Sequence, residues 1–184
     1  MSAVNLKMGE TSRLLVFAIG LLSSPASCLS QQLPRTEFTT LAGTHALVPQ
    51  YSGGKPVLVL ITFSHKGAGD AAAWNKRFTS KYQADPRVEY WELSDFQGVP
   101  PFVMKMILHG MRRSIREPER SHFAPFFTND DEWKKLAQFD NKKVSYLILA
   151  DRTGQLVWQT RGPASNAKAL ELENALVKLW ADTR

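Results

Sequence analysis

The run PVLVLITF, Pro56 to Phe63, is apolar at nearly every position, the pattern of a strand covered on both faces in the middle of a mostly parallel sheet. Downstream, Trp74, Phe78 and Tyr82 recur at every fourth residue, which predicts a helix over 71–82 with one aromatic face. Asp85-Pro86 stops it. In RVEYWEL, Val88, Tyr90 and Glu92 alternate with Glu89, Trp91 and Leu93, predicting a second strand over 87–93, nearer the sheet edge. Strand, helix, strand is the minimal parallel crossover.

After Gly98-Val99-Pro100-Pro101, the residues Val103, Met106, Ile107, Gly110 or Met111, and Ser114 or Ile115 stand at helical spacing, and Arg116-Glu117-Pro118 ends that helix. The stretch ERSHFAPFFTNDDEWKKLAQF carries three Phe in close order and predicts a short helix over 130–139, begun by Asn129 or Asp130. VSYLILAD and QLVWQTR flank Arg152-Thr153-Gly154 and predict a β-hairpin. A terminal helix follows, with Ala169, Leu172, Leu176 and Leu179 on one face. Ahead of the first strand, Phe38 and Leu41 alternate with polar residues, which reads as a short hairpin followed by a Ser-Gly-Gly linker.

Composition changes this picture mainly at the start. With 43% hydrophobic and 22% charged residues over 184 positions, the chain can bury one core. Residues 1–28 differ from the rest: Lys7 and Arg13 precede LLVFAIGLL, and small residues follow in SSPASC. That order of charge, short apolar run and small residues is a secretory signal. The apolar run is well short of the ~20 residues that span a bilayer, and Glu10 with few Arg argues against a mitochondrial transit peptide. The expected division is 1–28 signal peptide, 29–54 leading segment and hairpin, 55–184 main domain. The expected location is exported, periplasmic or associated with the inner membrane.

Cys28 is the only cysteine. Cleavage beside the small residues discards it, and lipidation of Cys28 as the first mature residue is the alternative. Either way the folded domain has no thiol chemistry of its own. The net charge of +6 falls to +5 once Lys7, Arg13 and Glu10 leave with residues 1–28. A charge of this size suits an anionic membrane surface or an acidic partner, and a secretory signal argues against nucleic acid.

Three features could carry chemistry. SHKGAGD, Ser64 to Asp70, joins a strand to a helix, where backbone amides bind anions. It lacks the GxxxxGK[ST] spacing of a phosphate loop, so a plain turn with Asp70 as helix cap is the simpler expectation. His45, His65, His109 and His122 show no i, i+4 pair and predict no metal site. The strongest charge feature is Lys105, Arg112, Arg113, Arg116 and Arg120, beside the apolar residues Met104, Ile107, Leu108 and Met111. Such a basic amphipathic element fits a membrane surface or a partner segment, or else Val103, Ile107 and Met111 are core and the arginines a solvated face.

The order hairpin, β, α, β, α, β, β, α resembles a thioredoxin-like α/β domain, a central mixed sheet flanked by helices with an N-terminal hairpin. LAGTHALVPQYSGGKPVLVLITF is similar to the start of exported redoxins and thiol-disulfide oxidoreductases of that fold. The resemblance places the redox CxxC at Lys66 to Gly69, where this chain has KGAG, and the facing cis-proline at Ser145. Thiol exchange needs a sulfur, so the resemblance implies a domain without that activity. A second resemblance is narrower. MKMILHGMRRSIREPERSHFAPFF, followed by YLILADRTGQLVW, is similar to the mitochondrial assembly factors that act on the membrane sector of ATP synthase; Tyr146, Leu149, Asp151, Gly154 and Trp158 match, and Val157 replaces a basic residue. That likeness implies a non-enzymatic assembly or chaperone-type protein without a cofactor, its partner a membrane protein or membrane surface contacted by Lys105 to Arg120, and the mitochondrial inner membrane as the alternative location. The competing expectations are an exported redoxin-like enzyme with cysteine-independent chemistry at His65, Lys66 and Asp70, and a small-ligand carrier.

Overall fold

The computed structural model describes residues 31–49, 54–82 and 85–181; the expected signal peptide, Cys28 and most of the linker lie outside them. Two short strands, β1 (Thr36–Thr39) and β2 (His45–Val48), form the antiparallel leading hairpin. They are followed by β3 (Val57–Thr62), α1 (Ala68–Tyr82), β4 (Glu89–Asp95), α2 (Pro101–Ser114), β5 (Phe123–Phe126), α3 (Asp130–Leu136), β6 (Ser145–Ala150), β7 (Leu156–Arg161) and α4 (Asn166–Ala181). The main sheet runs β5-β4-β3-β6-β7. β3 pairs parallel with β4, and β4 with β5, while β6 runs antiparallel to both β3 and β7. The sheet is therefore mixed, with the all-buried β3 at its centre.

One strand goes beyond the expected pattern. β4 is nearer the edge than the central β3, as its alternation suggests, but it is not the last strand: β5 lies outside it, pairing Glu92 to Phe123 through Asp95 to Phe126. β5 itself falls in a stretch read as irregular apart from its helix. Its four residues, FAPF, are all buried and include Pro125, so no alternation marks a strand; proline is tolerated because β5 is marginal in the sheet. Its outer side is covered by the hairpin loop, where Leu41 N–H donates to the Phe123 carbonyl at 2.9 Å.

Side chains leave β3 alternately for two cores. Val57, Val59 and Ile61 join Trp91, Leu93, Phe126 and Trp133 under the hairpin and α3. Leu58 and Leu60 join Trp74, Phe78 and Tyr82 of α1 and Leu172 and Leu176 of α4, which are the apolar faces predicted for those helices. Each core is fastened by a tryptophan N–H: Trp133 to Thr36 Oγ1 at 3.0 Å, and Trp74 to the Gly162 carbonyl at 2.9 Å.

α2 behaves differently. No residue in it is buried. Val103, Ile107 and Met111 are half-buried, while Phe102 is 79% and Met106 62% exposed. The reading of this helix as an ordinary core element does not hold. Among the described residues no helix is long and apolar enough to cross a membrane.

Candidate functional site

The site builds up at the C-terminal end of β3. Ser64 accepts the Lys66 N–H on its Oγ at 3.2 Å and donates the same hydroxyl to the Lys142 carbonyl. This closes a single 3₁₀ turn, His65–Gly67, which runs directly into α1 at Ala68. The cap of this turn is thus Ser64, and Asp70 lies inside the first turn of α1 instead of capping it. Gly67 rests on the start of β6: a Cβ there would stand 2.7 Å from the Val144 carbonyl oxygen and 3.3 Å from the Ser145 nitrogen. Lys66 and Gly69 are exposed, and the Gly69 Cβ position has nothing within 4 Å. The positions that the resemblance aligns with redox residues, Lys66, Gly69 and Ser145, are therefore gathered around one turn.

Beneath that turn a row of hydroxyls crosses three strand ends. Thr62 stands opposite Ser94 on β4 and Ser145 on β6; its Oγ1 shares a hydrogen bond with Ser94 Oγ at 2.9 Å. Ser145 is only 1% exposed, and its Oγ has no hydrogen-bond partner. Beside the row opens a groove of about 450 Å³, walled by Phe63, Ser64 and His65 on one side and Asp95, Phe96 and Val99 on the other, and roofed by Ile107 and Met111 of α2. An apolar roof with a few polar atoms at the wall suits a short segment of another chain.

Asp95 adds charge to this groove. Burial pushes its carboxyl up, the Gln97 N–H at 2.8 Å works in the opposite direction, and the nearby Asp130 charge adds to the rise. Asp130 pairs through Oδ2 with Lys134, and its Oδ1 is buried without a partner. Bonding to Asp130 raises the Lys134 pKa, and the ammonium stands 5.6 Å from the centre of the Phe139 ring. From the sequence Asp130 is only a helix start, because nothing in NDDEW announces that β5 carries it to the sheet margin beside the end of β4.

The other predicted residues are dispersed. His65 and Lys66 are exposed, and no hydrogen bond or ion pair joins them to Asp70. His45 meets Thr39, His122 reaches the Tyr90 carbonyl at 3.1 Å, and His109 lies on α2; among the described residues there is no cluster of three metal-ligating side chains. Of the five basic residues, three are engaged within the chain. Arg112 donates to the Leu41 carbonyl at 3.2 Å, Arg120 to the Ile115 carbonyl at 3.0 Å, and Arg116 pairs with Glu119. Lys105 and Arg113 stay exposed on α2.

Two of the residues behind the narrower resemblance, Asp151 and Gly154, shape the β6–β7 turn, and a third, Tyr146, ties down the segment ahead of β6. Asp151 Oδ1 accepts from the Thr153 N–H and hydroxyl, both at 2.7 Å, and from the Gln155 N–H at 3.0 Å, and Gly154 adopts φ 84°. The Tyr146 hydroxyl accepts the Asp140 and Asn141 N–H groups.

No family model and no curated protein matches the chain. Solved structures do match it. The thioredoxin domain of a thiol-disulfide oxidoreductase from Bacteroides vulgatus aligns at a TM-score of 0.55 and 15% identity, covering 82% of this chain and 99% of that one. The exposed lipoprotein thioredoxin of Streptococcus pneumoniae aligns at 0.54 and 10% identity, covering 77% and 98%. A thiol-disulfide oxidoreductase from Bacteroides fragilis aligns at 0.52 and 15% identity, covering 78% and 98%. Likeness at this identity shows the fold: the chain is a thioredoxin-like α/β domain with a mixed central sheet. These three neighbours are redox proteins, and they add nothing to the resemblance to ATP synthase assembly factors.

Proposed function

We propose that this chain is a thiol-independent binding protein on the thioredoxin-like fold, of assembly or chaperone type, exported and working at the inner membrane. A segment of a partner protein lies in the groove between the Ser64–Gly67 turn and α2. One observation carries the reading: the turn keeps its place against Val144 and Ser145 and the groove beside it is open, yet Lys66 and Gly69 provide no sulfur. A groove without a thiol cannot exchange disulfides, and it can still bind and release a segment. The segments similar to ATP synthase assembly factors make a membrane protein complex of that kind the first partner to test.

The test is a photo-crosslinking residue at Ile107, which roofs the groove, used in intact membranes with mass spectrometry of the products. The reading expects a discrete membrane-protein adduct that is lost when Met111→Glu is introduced in the same helix. Adducts unaffected by Met111→Glu, or none above those of a crosslinker placed at exposed Lys178, overturn it.

A second reading has one observation in its favour: the raised Asp95 carboxyl lines the same groove, as a proton donor of a cysteine-independent enzyme would. That reading expects a turnover abolished by Asp95→Asn with folding intact.

A further inference from the structure

α2 has two working faces. The half-buried side, Val103, Ile107 and Met111, turns toward the sheet and the groove. At 3.6 residues per turn, Lys105, His109, Phe102, Arg113 and Met106 fall in that angular order within an arc of roughly 100° on the opposite side, and all five are exposed. The face therefore carries two large apolar side chains one turn apart, flanked by a lysine, an arginine and a histidine. The helix contains no acidic residue. Of the two acids just beyond it, Glu119 is paired with Arg116 and Glu117 is exposed in the 3₁₀ turn past the helix end.

We infer that this outer face of α2 lies on an anionic phospholipid surface. Charge complementarity selects the occupant: Lys105 and Arg113 pair with headgroup phosphates, while Phe102 and Met106 enter the acyl boundary between them. The shape agrees. The face is a convex helix surface, and the groove opens on its other side, so a peptide has no trough to occupy here whereas a bilayer needs none. The net positive charge, +6 for the full chain and +5 without residues 1–28, adds attraction of the same sign. This contact is separate from the partner groove and stands or falls without it.

The test is co-sedimentation of the full chain with vesicles of phosphatidylcholine containing phosphatidylglycerol, compared with phosphatidylcholine alone. Lys105→Gln/Arg113→Gln is compared with a charge-matched control, Lys76→Gln/Lys178→Gln, at exposed cations of α1 and α4. Every protein retains residues 1–28, so differences between them report α2. The expected result is a charge-dependent partition that falls on the order of ten-fold or more in the α2 pair and much less in the control. Phe102→Ser/Met106→Ser should also lose binding, most visibly in the fraction that persists at high salt. Equal losses in the two charge pairs, binding without preference for anionic vesicles, or wild-type binding by Phe102→Ser/Met106→Ser would each overturn the inference. Circular dichroism checks that every variant is folded.

Discussion

Gly67 and Val144 meet backbone to backbone, with the space for a Cβ at Gly67 ending 2.7 Å from the Val144 carbonyl oxygen. Neither side of that contact is a flexible side chain that could move aside. Gly67→Ala should therefore destabilise the protein by about 1–3 kcal/mol, the usual cost of overpacking, as read from the urea midpoint. Gly69→Ala, where the Cβ space is open, should be neutral or slightly stabilising, as expected for alanine in a helix. A wild-type midpoint in Gly67→Ala would show that the turn does not press on β6.

The same geometry predicts that the fold still accepts the chemistry its sequence lacks. Lys66 and Gly69 are three residues apart across the junction of the 3₁₀ turn and α1, where Cα atoms stand at about the 5–6 Å that a disulfide requires. Lys66→Cys/Gly69→Cys should form an intramolecular disulfide on oxidation, measured by loss of thiol titre, and should show insulin-reducing activity above that of the parent chain. A double variant whose thiols stay free under oxidant would place the aligned positions elsewhere.

Glu92 makes stability depend on pH. Burial, reinforced by the charge of Glu119, raises its pKa from 4.5 to about 7, and its carboxyl accepts the Asn75 side-chain N–H at 2.8 Å. The folded state holds this proton more tightly than the unfolded chain, so the contribution is complete below about pH 4.5 and is lost as pH rises to about 7. Glu92→Gln should flatten that part of the stability profile and stabilise the protein at pH 8 by up to about 3 kcal/mol. Denaturant melts of both proteins at several pH values check the sign. A parent protein that gains stability from pH 5 to 7 while the variant does not would contradict it.

Asp151 holds the β6–β7 hairpin through three hydrogen bonds to one oxygen. Asp151→Ala should cost about 1–2 kcal/mol and leave groove and membrane binding unchanged, since the hairpin loop is remote from both. A binding defect at unchanged stability would give this motif a role beyond shaping the turn.

What could be read in the residues follows from where the signal is local. The continuous apolar run of β3, the four-residue spacing of Trp74, Phe78 and Tyr82, and the Asp151–Gly154 turn all act within a few positions, and each appears where its pattern puts it. β5 was not legible because what makes it a strand is parallel pairing with a segment thirty-one positions upstream, Glu92 with Phe123. Asn129 shows the same limit in a single residue. It is the residue that begins α3, its carbonyl accepting the Trp133 N–H at 3.0 Å, yet it sits at φ 63° and its side-chain amide donates to the Arg35 carbonyl and Thr36 Oγ1 instead of closing the cap. The groove is invisible for a related reason: its walls come from two connections thirty or so positions apart, after β3 and after β4, and its roof from a helix whose pattern predicts burial it does not have.

That helix has a consequence for how such a protein can change. Because α2 contributes no buried residue to either core, substitutions on it leave the sheet's stability nearly untouched. What the molecule touches can drift, residue by residue, without the molecule ceasing to fold. The domain is in that sense a chassis with an exchangeable grip.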